Sequence, residues 1–409
     1  MCNTQPVPLS AAQLERDLAV RDLTDPLHGP HAVQLVLDAL VGALRAAWGS
    51  EVRLIRGHPV VSLEDNYETL GFAPDAVTRD ARYTRYVDAG YVLRSHSTAM
   101  VPPALRALAA EHAGTADRAG PAGHTGPAGH ARGGAPAEVL LACPGICYRR
   151  DSVDRQHTGT PHHVDLWRLR RGPACTPGEL RDMIGEVVAA ALPGARWRVV
   201  PAEHPYTEDG LEIYASAGGG EWVEVGECGL AGPGVLRAAG LPVPPWSGLA
   251  MGLGLDRLVM LRKGIDDIRL LRSADPRVTE QLLDLAPYRP VSHLPPVRRD
   301  LSVVVGEGVE ASAEVLGDRV RDALGPDGEV AESVVVLANT PYHRLPPAAR
   351  RRMLIRPGQR NLLVRLVLRP LDRTLTDAEA NELRDRVYAA LHEGPVAEWA
   401  AAEGRAGAT

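Results

Sequence analysis

The sequence predicts an α+β fold in which an antiparallel sheet flanked by helices precedes a small C-terminal split β-α-β module. Three observations support this prediction. Short apolar segments typical of strands are bunched between residues 138 and 227, without regular alternation with helices. Segments with helical spacing of apolar residues stand around them. A Pro-rich stretch, 286–300, then precedes a second series of strands and helices.

Length and composition suit a globular protein with at least one large core. The chain has 409 residues, 45% of them hydrophobic, and a net charge of -6. This charge argues against a general DNA-coating role, because non-specific DNA binding neutralises many phosphates with Lys and Arg. Five cysteines without the spacing of a disulfide framework favour a reducing compartment. With no signal-peptide pattern and no apolar run of membrane-spanning length, we expect a cytoplasmic protein without a membrane partner.

The N-terminal third contains one strong helix pattern and one low-complexity tract. Residues 1–28 are weakly patterned and are expected to form an N-terminal extension. The segment HAVQLVLDALVGALRAAWG (31–49) repeats apolar residues at helical spacing before a glycine, which predicts a long amphipathic helix. Residues 113–136 are rich in Gly, Ala and Pro, so they cannot offset the entropy of ordering, and a disordered insertion is expected.

The remaining elements follow from local patterning. Helices are predicted at 179–191 and 255–263. Strands of the sheet are predicted in EVLLAC (138–143), VDLWRLRR (164–171), WRVV (197–200), LEIYAS (211–216) and EWVEVGE (221–227). Beyond the Pro-rich stretch, the segments DLSVVV, ASAEVLGDRVRDAL, EVAESVVVLA, NLLVRLVLR and TDAEANELRDRVYAALHE give the order strand, helix, strand, strand, helix. This order predicts a split β-α-β module that lacks an obvious last strand.

The segment CYRRDSVDRQHTGTPHHVDLW (147–167) concentrates Arg, Asp and His between two predicted strands. It is a candidate metal site, a solvated charged loop or a segment that binds an anion. Neither CxxC nor HxxxH spacing is present, which argues against zinc, whereas a solvated loop stays open. If the segment forms a hairpin, Arg149 and Asp151 point to the same side, because side chains alternate along a strand.

A second motif, SGLAMGLGLDRLVMLRKGIDDIRLL (247–271), places glycines before an Asp-Arg pair at a predicted helix start. Its plain interpretation is a glycine-rich turn before a core helix. A dinucleotide-binding fingerprint is excluded, because Arg257 occupies the third glycine position of G-x-G-x-x-G. Gly252 and Gly254 permit close backbone approach, and the planar guanidinium of a fixed arginine can hold phosphate oxygens bidentately. Arg149 and Arg257 together predict a nucleotide site unlike a P-loop.

These motifs resemble those of class II aminoacyl-tRNA synthetases, and their surroundings resemble single-chain, organelle-type phenylalanyl-tRNA synthetases, of which this chain would be a divergent paralogue. YRRD and GLGLDRL resemble motifs 2 and 3, and LRSHSTAM, EWVEVGECG, PPVRRDLSVVV and LDRTLTDAEANELRDRV match in order, over about residues 30–399. The resemblance implies a class II synthetase-type sheet domain (29–285), a linker (286–296), a ferredoxin-like anticodon-binding-type domain (297–399) and a tail (400–409).

The resemblance also implies the chemistry. A substrate carboxylate attacks the α-phosphate of ATP, and the aminoacyl group then passes to tRNA. The implied catalytic cations are Arg149, at the α-phosphate and carboxylate, and Arg257, at the γ-phosphate or adenine end. Further implied ATP contacts are Asp151, His157, Glu224, Gly252, Gly254 and Asp256. Magnesium would be held by Glu224 and Glu212, although Glu224 fits an outward strand position equally well. Implied tRNA contacts, or alternatively a solvated loop, are Arg350, Arg351, Arg352, Arg356 and Arg360.

The implied amino acid pocket departs from the family pattern. Its positions are His96, Thr98, His162, His163, Asp165, His204, Tyr206, Glu227 and Ala250. The Gln and Glu of the family's FHQ(L/M)E motif are here His163 and Asp165. The family's FPF aromatic clamp corresponds to His204, Pro205 and Tyr206. Glu227 stands where the family usually has glycine, and the family's GFAFG motif places Ala250 at the pocket floor. Buried polar groups left unpaired cost about 1–3 kcal/mol each. We therefore expect phenylalanine to bind poorly and a polar or hydroxylated amino acid to be preferred, unless His204 and Tyr206 satisfy each other.

Other functions stay open at this stage. The activated amino acid could be handed to a carrier protein or a small amine, or the chain could be a non-catalytic RNA-binding relative, which the retention of Arg149 and Arg257 disfavours. The single phenylalanine, Phe72, fits either drift or an inhibitor-insensitive duplicate that is made when charged phenylalanine is scarce. The oligomeric state is left open.

Overall fold

The computed structural model describes residues 8–80, 83–116, 137–150, 152–291 and 294–395. The chain divides into two compact units. Unit 1 comprises residues 1–149, 160–265 and 281–288, and unit 2 comprises 150–159, 266–280 and 289–409. Within the described ranges, no helix is both long and apolar enough to cross a membrane.

Unit 1 is built on a mainly antiparallel sheet with helices around it. Its α-helices are α1 (Ala11–Leu18), α2 (Ala32–Trp48), α3 (Val101–Ala116), α4 (Pro177–Ala191), α5 (Pro233–Ala238) and α6 (Leu255–Lys263). Its strands are β1 (Glu51–Leu54), β2 (Val60–Ser62), β3 (Arg85–Tyr86), β4 (Tyr91–Leu93), β5 (Glu138–Ile146), β6 (His162–Arg171), β7 (Arg196–Pro201), β8 (Thr207–Ser216), β9 (Val223–Ala231) and β10 (Trp246–Gly254). The large sheet has the order β1-β5-β6-β10-β9-β8-β7. The predicted antiparallel sheet is confirmed, with one parallel pair, β1 and β5.

Local sequence explains the long helix α2. The His31 ring accepts a hydrogen bond from the Val33 amide at 3.1 Å and so caps the helix start. Gly49 ends the helix in the left-handed region, at φ 65°. Between these ends Val36 and Leu40, four residues apart, are fully buried, as the sequence pattern predicts. Helices α2, α4 and α6 pack against one another beside the sheet.

The register of the central strands sorts their side chains onto two faces. Trp167 of β6 pairs with Ala250 of β10, which pairs with Gly229 of β9. Asp165, Gly252 and Glu227 form the next row on the same face, because side chains two residues apart lie on one side. Helices α3 and α5 pack on part of this face around Trp167. The face is therefore apolar at one end and polar at the other.

A register shift between β8 and β9 changes which side chains share a face. Ile213 pairs with Gly226, but the next residue, Tyr214, pairs with Glu224, so one residue of β9 is skipped. Glu224 and Glu227 are three residues apart and would face opposite ways in a regular strand. The bulge turns both of them to one side. Strand pattern alone does not predict this placement.

Unit 2 contains a three-stranded antiparallel sheet of order β11-β13-β12, with helices packed on it. Its elements are α7 (Pro276–Thr279), β11 (Val297–Gly306), α8 (Ala313–Leu324), β12 (Ala331–Pro341), α9 (Pro347–Met353), β13 (Gln359–Leu368) and α10 (Asp377–Leu391). Val303 and Val364 of the sheet form its core with Leu316 of α8 and Val387 of α10. The β-α-β-β-α order matches the order read from the sequence, with the short α9 added.

Two sequence expectations are modified by these elements. The tract 113–136 was expected to be disordered throughout, but its first four residues belong to α3, which ends at Ala116, and residues 117–136 lie outside the described residues. The expected extension at 1–28 contains α1, which a Ser10–Gln13 capping box begins. The tail 400–409 also lies outside the described residues.

Substitution of Gly226 tests the β9–β10 pairing that forms the polar face. A Cβ added there would press on the Gly252 carbonyl oxygen and lie 2.9 Å from Cδ2 of Leu253. We expect Gly226→Ala to lower the free energy of unfolding by about 1–3 kcal/mol, because β10 backbone must shift. The matched control is Gly185→Ala in α4, where nothing lies within 4 Å of the added Cβ. It should raise stability by about 0.5–1 kcal/mol in the same urea titration, and equal effects of the two variants would contradict the expectation.

Candidate functional site

The polar face of the large sheet carries a groove, defined as the strip of small β10 residues with the polar side chains on either side of it. The β10 residues on this side are Ala250, Gly252 and Gly254, which carry little or no side chain. The flanking strands carry larger groups in the same rows, among them Asp165 on β6 and Glu227 on β9. Small residues between two polar walls leave room for a ligand next to the backbone.

Asp165 is a buried carboxylate held by three donors. Its Oδ2 accepts hydrogen bonds from the hydroxyls of Ser97 (2.6 Å) and Thr98 (3.1 Å), and its Oδ1 accepts one from the Trp167 indole (3.2 Å). Burial, together with the nearby Glu227 carboxylate, raises the pKa of Asp165 to about 6 against the effect of the three donors. A buried anion of this kind is a natural partner for an ammonium group.

Arg149 lies just beyond β5 and is held by backbone. Its Nε donates to the Ser95 carbonyl at 2.7 Å, and its own backbone forms an isolated bridge with Thr84. The expected hairpin does pair β5 with β6, but Arg149 is outside the paired residues, contrary to the simple hairpin reading. Asp151, its expected neighbour on that hairpin, lies outside the described residues.

Two histidines near Arg149 are kept neutral. His163 Nδ1 lies 3.5 Å from an Nη of Arg149, and burial, then the Arg149 charge, lowers the pKa of His163 well below its usual value. The same two causes lower the pKa of His96 to about 3. The His96 ring stacks on Phe72 at a centroid distance of 5.6 Å. Both ring nitrogens of His96 are buried; the Asn66 backbone can engage one of them, and the other has no hydrogen-bond partner among the described residues.

His204 and Glu227 are hydrogen-bonded to each other at the other wall of the groove. His204 Nε2 lies 3.1 Å from Glu227 Oε2, and His204 Nδ1 lies 3.2 Å from the Thr207 hydroxyl. The hydrogen bond from His204 lowers the pKa of Glu227 below its ordinary value. Tyr206 stacks on both His204 (5.8 Å) and Trp167 (6.3 Å). His204 is thus satisfied by Glu227 and Thr207 rather than by Tyr206.

Tyr206 makes its own polar contact. Its hydroxyl hydrogen-bonds to Thr98, while burial and the carboxylates of Asp165 and Glu227 raise its pKa well above the usual value, so it remains a neutral phenol. Thr98 therefore serves both Asp165 and Tyr206. The alternative that His204 and Tyr206 satisfy one another is replaced by two separate pairings.

Arg257 lies in the first turn of α6 and interacts with Glu224 of β9. Its Nη1 donates to the Glu224 carbonyl at 3.0 Å and lies 3.6 Å from the Glu224 carboxylate. The adjacent Tyr214 hydroxyl donates to Glu212 at 2.9 Å. Through the bulge in β9, the carboxylates of Glu212, Glu224 and Glu227 share one face with the groove. No group of three or more metal-binding side chains is found in the described part of the chain.

The structure separates His162 and Asp256 from the groove. His162 precedes His163 on β6 and so faces the opposite side of the sheet. Its backbone amide and Nδ1 each lie 2.8 Å from an Asp256 carboxylate oxygen, and its Nε2 accepts from the Leu23 amide at 3.0 Å. Both side chains are buried. Their contacts tie β6 to α6, which makes them structural supports of the site rather than groups that line it.

The remaining predicted residues lie in unit 2. His157 is paired with Asp154 at 2.8 Å. Among the five arginines, Arg350 donates to the Leu345 carbonyl and lies over the Tyr342 ring at 4.9 Å, and Arg360 donates to the Val309 carbonyl. The other three are exposed: Arg351, Arg352 and Arg356. Helix α9 carries the first three arginines, so only the part of the stretch after Met353 is a loop, and a merely solvated role for these arginines stays open.

Several groups that complete the groove were not predicted as site residues. Ser97 and Trp167 hold Asp165, Ser95 holds Arg149, and Phe72 stacks on His96. Ser97 stands next to Thr98 and Trp167 two residues after Asp165, so the strand period gives a signal for Trp167. Phe72 is distant in sequence from every motif and carries no local signal.

Comparisons with known proteins agree with this architecture. The family model described as tRNA synthetases class II core domain (F) matches residues 27–282. The phenylalanine–tRNA ligase alpha subunit of Prochlorococcus marinus (strain MIT 9313) is 30% identical over 233 residues, which cover 57% of this chain and 61% of that protein. The same subunit of Nostoc punctiforme is 27% identical over 281 residues, 68% of this chain and 76% of that protein.

The match to these relatives is partial in length. The phenylalanine–tRNA ligase alpha subunit of Bifidobacterium animalis is 33% identical over 150 residues, 42% of its length. The chain spans about six-tenths of the first curated relatives it matches, at 61% and 56%. The family model nevertheless covers more than half of this chain. The protein therefore belongs to the family of the class II tRNA synthetase core domain.

Proposed function

We propose that this protein is an aminoacyl-tRNA ligase that activates an amino acid with ATP and transfers it to tRNA. The observation that carries the proposal is one groove of the class II core sheet on which Arg149, Asp165 and small β10 residues face the same space. A fixed cation suits a phosphate and a carboxylate, and a buried anion suits an ammonium. Their combination fits an amino acid next to the α-phosphate of ATP.

Arg149 is assigned to the reacting end. A substrate carboxylate oxygen attacks the α-phosphorus and pyrophosphate leaves; later a tRNA hydroxyl attacks the carbonyl carbon and AMP leaves. Negative charge gathers on the phosphoryl oxygens in the first step, where a guanidinium already fixed by the Ser95 carbonyl costs no reorganisation. His163 stays neutral beside it, so it adds hydrogen bonding without repelling Arg149.

Arg257 and the glycine positions are assigned to the rest of the nucleotide. Arg257 would clamp the γ-phosphate or adenine end, with Gly252 and Gly254 admitting ATP close to the β10 backbone. Glu224 and Glu212 share a face, and Mg²⁺ needs only one or two carboxylates in addition to phosphate oxygens, so this donor set fits that ion. Bound there, the ion would neutralise phosphate charge. Asp151 and His157 remain predicted ATP contacts, whereas the buried Asp256 joins α6 to β6 and is no longer proposed as one.

The amino acid is assigned to the opposite part of the groove. Asp165 would bind its ammonium, with Thr98, His96 and His163 nearby, and Ala250 would lie under its side chain. The wall of Tyr206, His204 and Glu227 supports a more polar pocket than phenylalanine needs. His162 would act indirectly, by fixing the start of β6.

The acceptor proposed is tRNA, bound by unit 2 as a ferredoxin-like domain (297–399) of a single-chain synthetase. Arg351 and Arg356 are exposed next to α9 and suit phosphate contacts. A carrier protein or small amine as the acceptor, or a duplicate synthetase insensitive to an inhibitor, are the alternatives. Of these alternatives, a carrier protein or small amine as the acceptor is favoured, because Glu227 and His204 depart from the family pattern of the pocket.

The raised pKa of Asp165 predicts a pH dependence of stability. The native pKa of about 6 exceeds that of Asp in an unfolded chain, about 3.9, so the native state binds more protons between these pH values. The contribution of Asp165 to the free energy of unfolding therefore falls as pH rises from about 4 to 6. The stability of Asp165→Asn relative to wild type should rise by about 2–3 kcal/mol between pH 4 and 7 in urea titrations.

The carboxyl group of Glu179 predicts the opposite dependence of stability on pH. The hydrogen bond from Arg170 lowers the pKa of Glu179, so Glu179 stabilises the fold above its unfolded pKa and loses this effect on acidification. The stability of Glu179→Gln relative to wild type should therefore fall as pH rises. If the difference in free energy of unfolding between Asp165→Asn and wild type did not change with pH, the pKa of Asp165 would be the same in the native and unfolded states.

Substitution of the two arginines tests amino acid activation. Arg149→Ala, Arg149→Lys and Arg257→Ala are expected to lower kcat/KM in ATP–pyrophosphate exchange by roughly 100- to 1000-fold, because a phosphate-binding fork is lost. The control is Arg237→Ala, at an exposed position of α5, which should leave the rate unchanged. Wild-type exchange by Arg149→Ala would remove the basis of the proposal.

Charging of total tRNA separates the two acceptor classes. The double variant Arg351→Ala/Arg356→Ala should lower kcat/KM for tRNA by about tenfold and flatten its salt dependence, with pyrophosphate exchange unchanged, because only phosphate contacts are removed. The matched control is Arg181→Ala/Arg237→Ala, at two exposed positions of unit 1. Exchange without any charging of tRNA by the wild type would favour a non-tRNA acceptor.

A further inference from the structure

We propose that the amino acid bound in this groove carries, besides its α-ammonium group, a hydrogen-bond donor on a flat side chain, and that the Glu227 carboxylate accepts this bond. A hydroxyl- or amino-substituted aromatic ring is the class that meets this description. The inference rests on the proposed function only in taking the ligand to be an amino acid. It names Glu227 as the specificity-determining residue and His204 as its positioning residue.

The two carboxylates of the groove are held apart. Asp165 and Glu227 lie on either side of Gly252 in one row, and adjacent strands are ~4.8 Å apart, so their Cα atoms are about 10 Å apart. Asp165 is turned to the hydroxyls of Ser97 and Thr98, and Glu227 is turned to His204 on the β8 side. One ammonium group satisfies one of these anions and leaves the other. Two fixed anions therefore fit a ligand with two donors.

Glu227 has the capacity to accept a further bond. Among the described residues its side chain has one hydrogen-bond partner, His204, which contacts Oε2. The same hydrogen bond lowers its pKa, so the group is an ionised carboxylate near neutral pH and acts only as an acceptor. The side chain is 43% exposed, so a ligand in the groove can reach it. The matching group on the ligand has to be a donor.

His96 supplies an independent sign that a polar ligand belongs here. Within the described ranges the Asn66 backbone can engage one of its two buried ring nitrogens, which leaves the other without a partner, and the ring is packed against Phe72 and Tyr67. Glu227 is among the charges that act on this ring, which places both at the same groove. Buried polar atoms are nearly always hydrogen-bonded, so an unpaired imidazole nitrogen beside an ionised acid indicates a site completed by a ligand.

The apolar groups around these atoms indicate the shape of the side chain. Phe72, Tyr206 and Trp167 form a connected set of rings, with centroids 6.2 Å and 6.3 Å apart, and the small Ala250 packs in the same cluster. Aromatic walls and a small floor favour a planar ring over a branched aliphatic chain. His204 cannot meet the ligand in this arrangement, because Glu227 and Thr207 already engage its two nitrogens.

The test uses the full chain and a panel of three amino acids that differ in one ring substituent: L-phenylalanine, L-tyrosine and 4-amino-L-phenylalanine. Binding is measured by calorimetry without ATP, and activation by ATP–pyrophosphate exchange. Tyrosine or the amino derivative should bind the wild type at least about tenfold more tightly than phenylalanine. Glu227→Gln and Glu227→Gly should abolish that preference, and Glu208→Gln, at an exposed position of β8, should keep it.

The two measurements separate this inference from the proposed function. Donor-selective binding without exchange would leave the inference standing and would contradict amino acid activation. ATP–pyrophosphate exchange with phenylalanine as the best substrate would support amino acid activation and would contradict the inference. A Glu227→Gln variant that weakens all three ligands equally, with an unchanged unfolding midpoint, would also overturn the inference, because Glu227 would then contact a group common to them. The loss of preference in His204→Asn, with Glu227 intact, would support the positioning role.

Discussion

The backbone pairing of β10 with β6 and β9 is the constraint on which the groove depends. It aligns Asp165, Gly252 and Glu227 in one row and puts His163 on the same face. A slip of one residue in β6 would exchange His163 for His162 and turn Asp165 away from the groove, because the side-chain period of a strand is two residues. The His162–Asp256 contact opposes such a slip, since it joins β6 to α6 from the other face.

The charged side chains of the groove favour an anionic group of a ligand next to Arg149 and a cationic group next to Asp165. Arg149 is fixed by a carbonyl group and faces neutral histidines, because its own charge and burial keep His96 and His163 unprotonated. These two histidines therefore add no positive charge beside Arg149. Asp165 is instead surrounded by hydroxyl and indole donors, which stabilise its anion without neutralising its charge. The site thereby presents opposite charges within one rigid face.

Sequence patterns predicted elements well and pairings poorly. The strands of the sheet and helix α2 follow from apolar period and end signals, which are local. The side of the sheet on which His162 lies depends on the residue at which the pairing of β6 begins. The sequence PHHVD (161–165) does not specify that residue. The β9 bulge and the Arg149–Thr84 bridge arise from contacts between distant segments. Motif resemblance predicted Asp165, His204 and Glu227 as pocket positions, but the contact between His204 and Glu227 required the fold.

In the proposed pocket, the His204–Glu227 contact assigns selectivity against phenylalanine to Glu227 rather than to His204. An unpaired His204 would by itself disfavour an apolar ring, but its two nitrogens are engaged, so covering it with a ring leaves no bond unmade. The cost falls on Glu227, whose carboxylate loses water when a ligand covers it. Desolvation without a compensating bond costs about 1–3 kcal/mol, and more for a charged group. Because Glu227 is 43% exposed, the full cost applies only to a ligand that closes the groove over it. A planar ring long enough to reach Glu227 does this, whereas a shorter side chain leaves the carboxylate hydrated and is discriminated less.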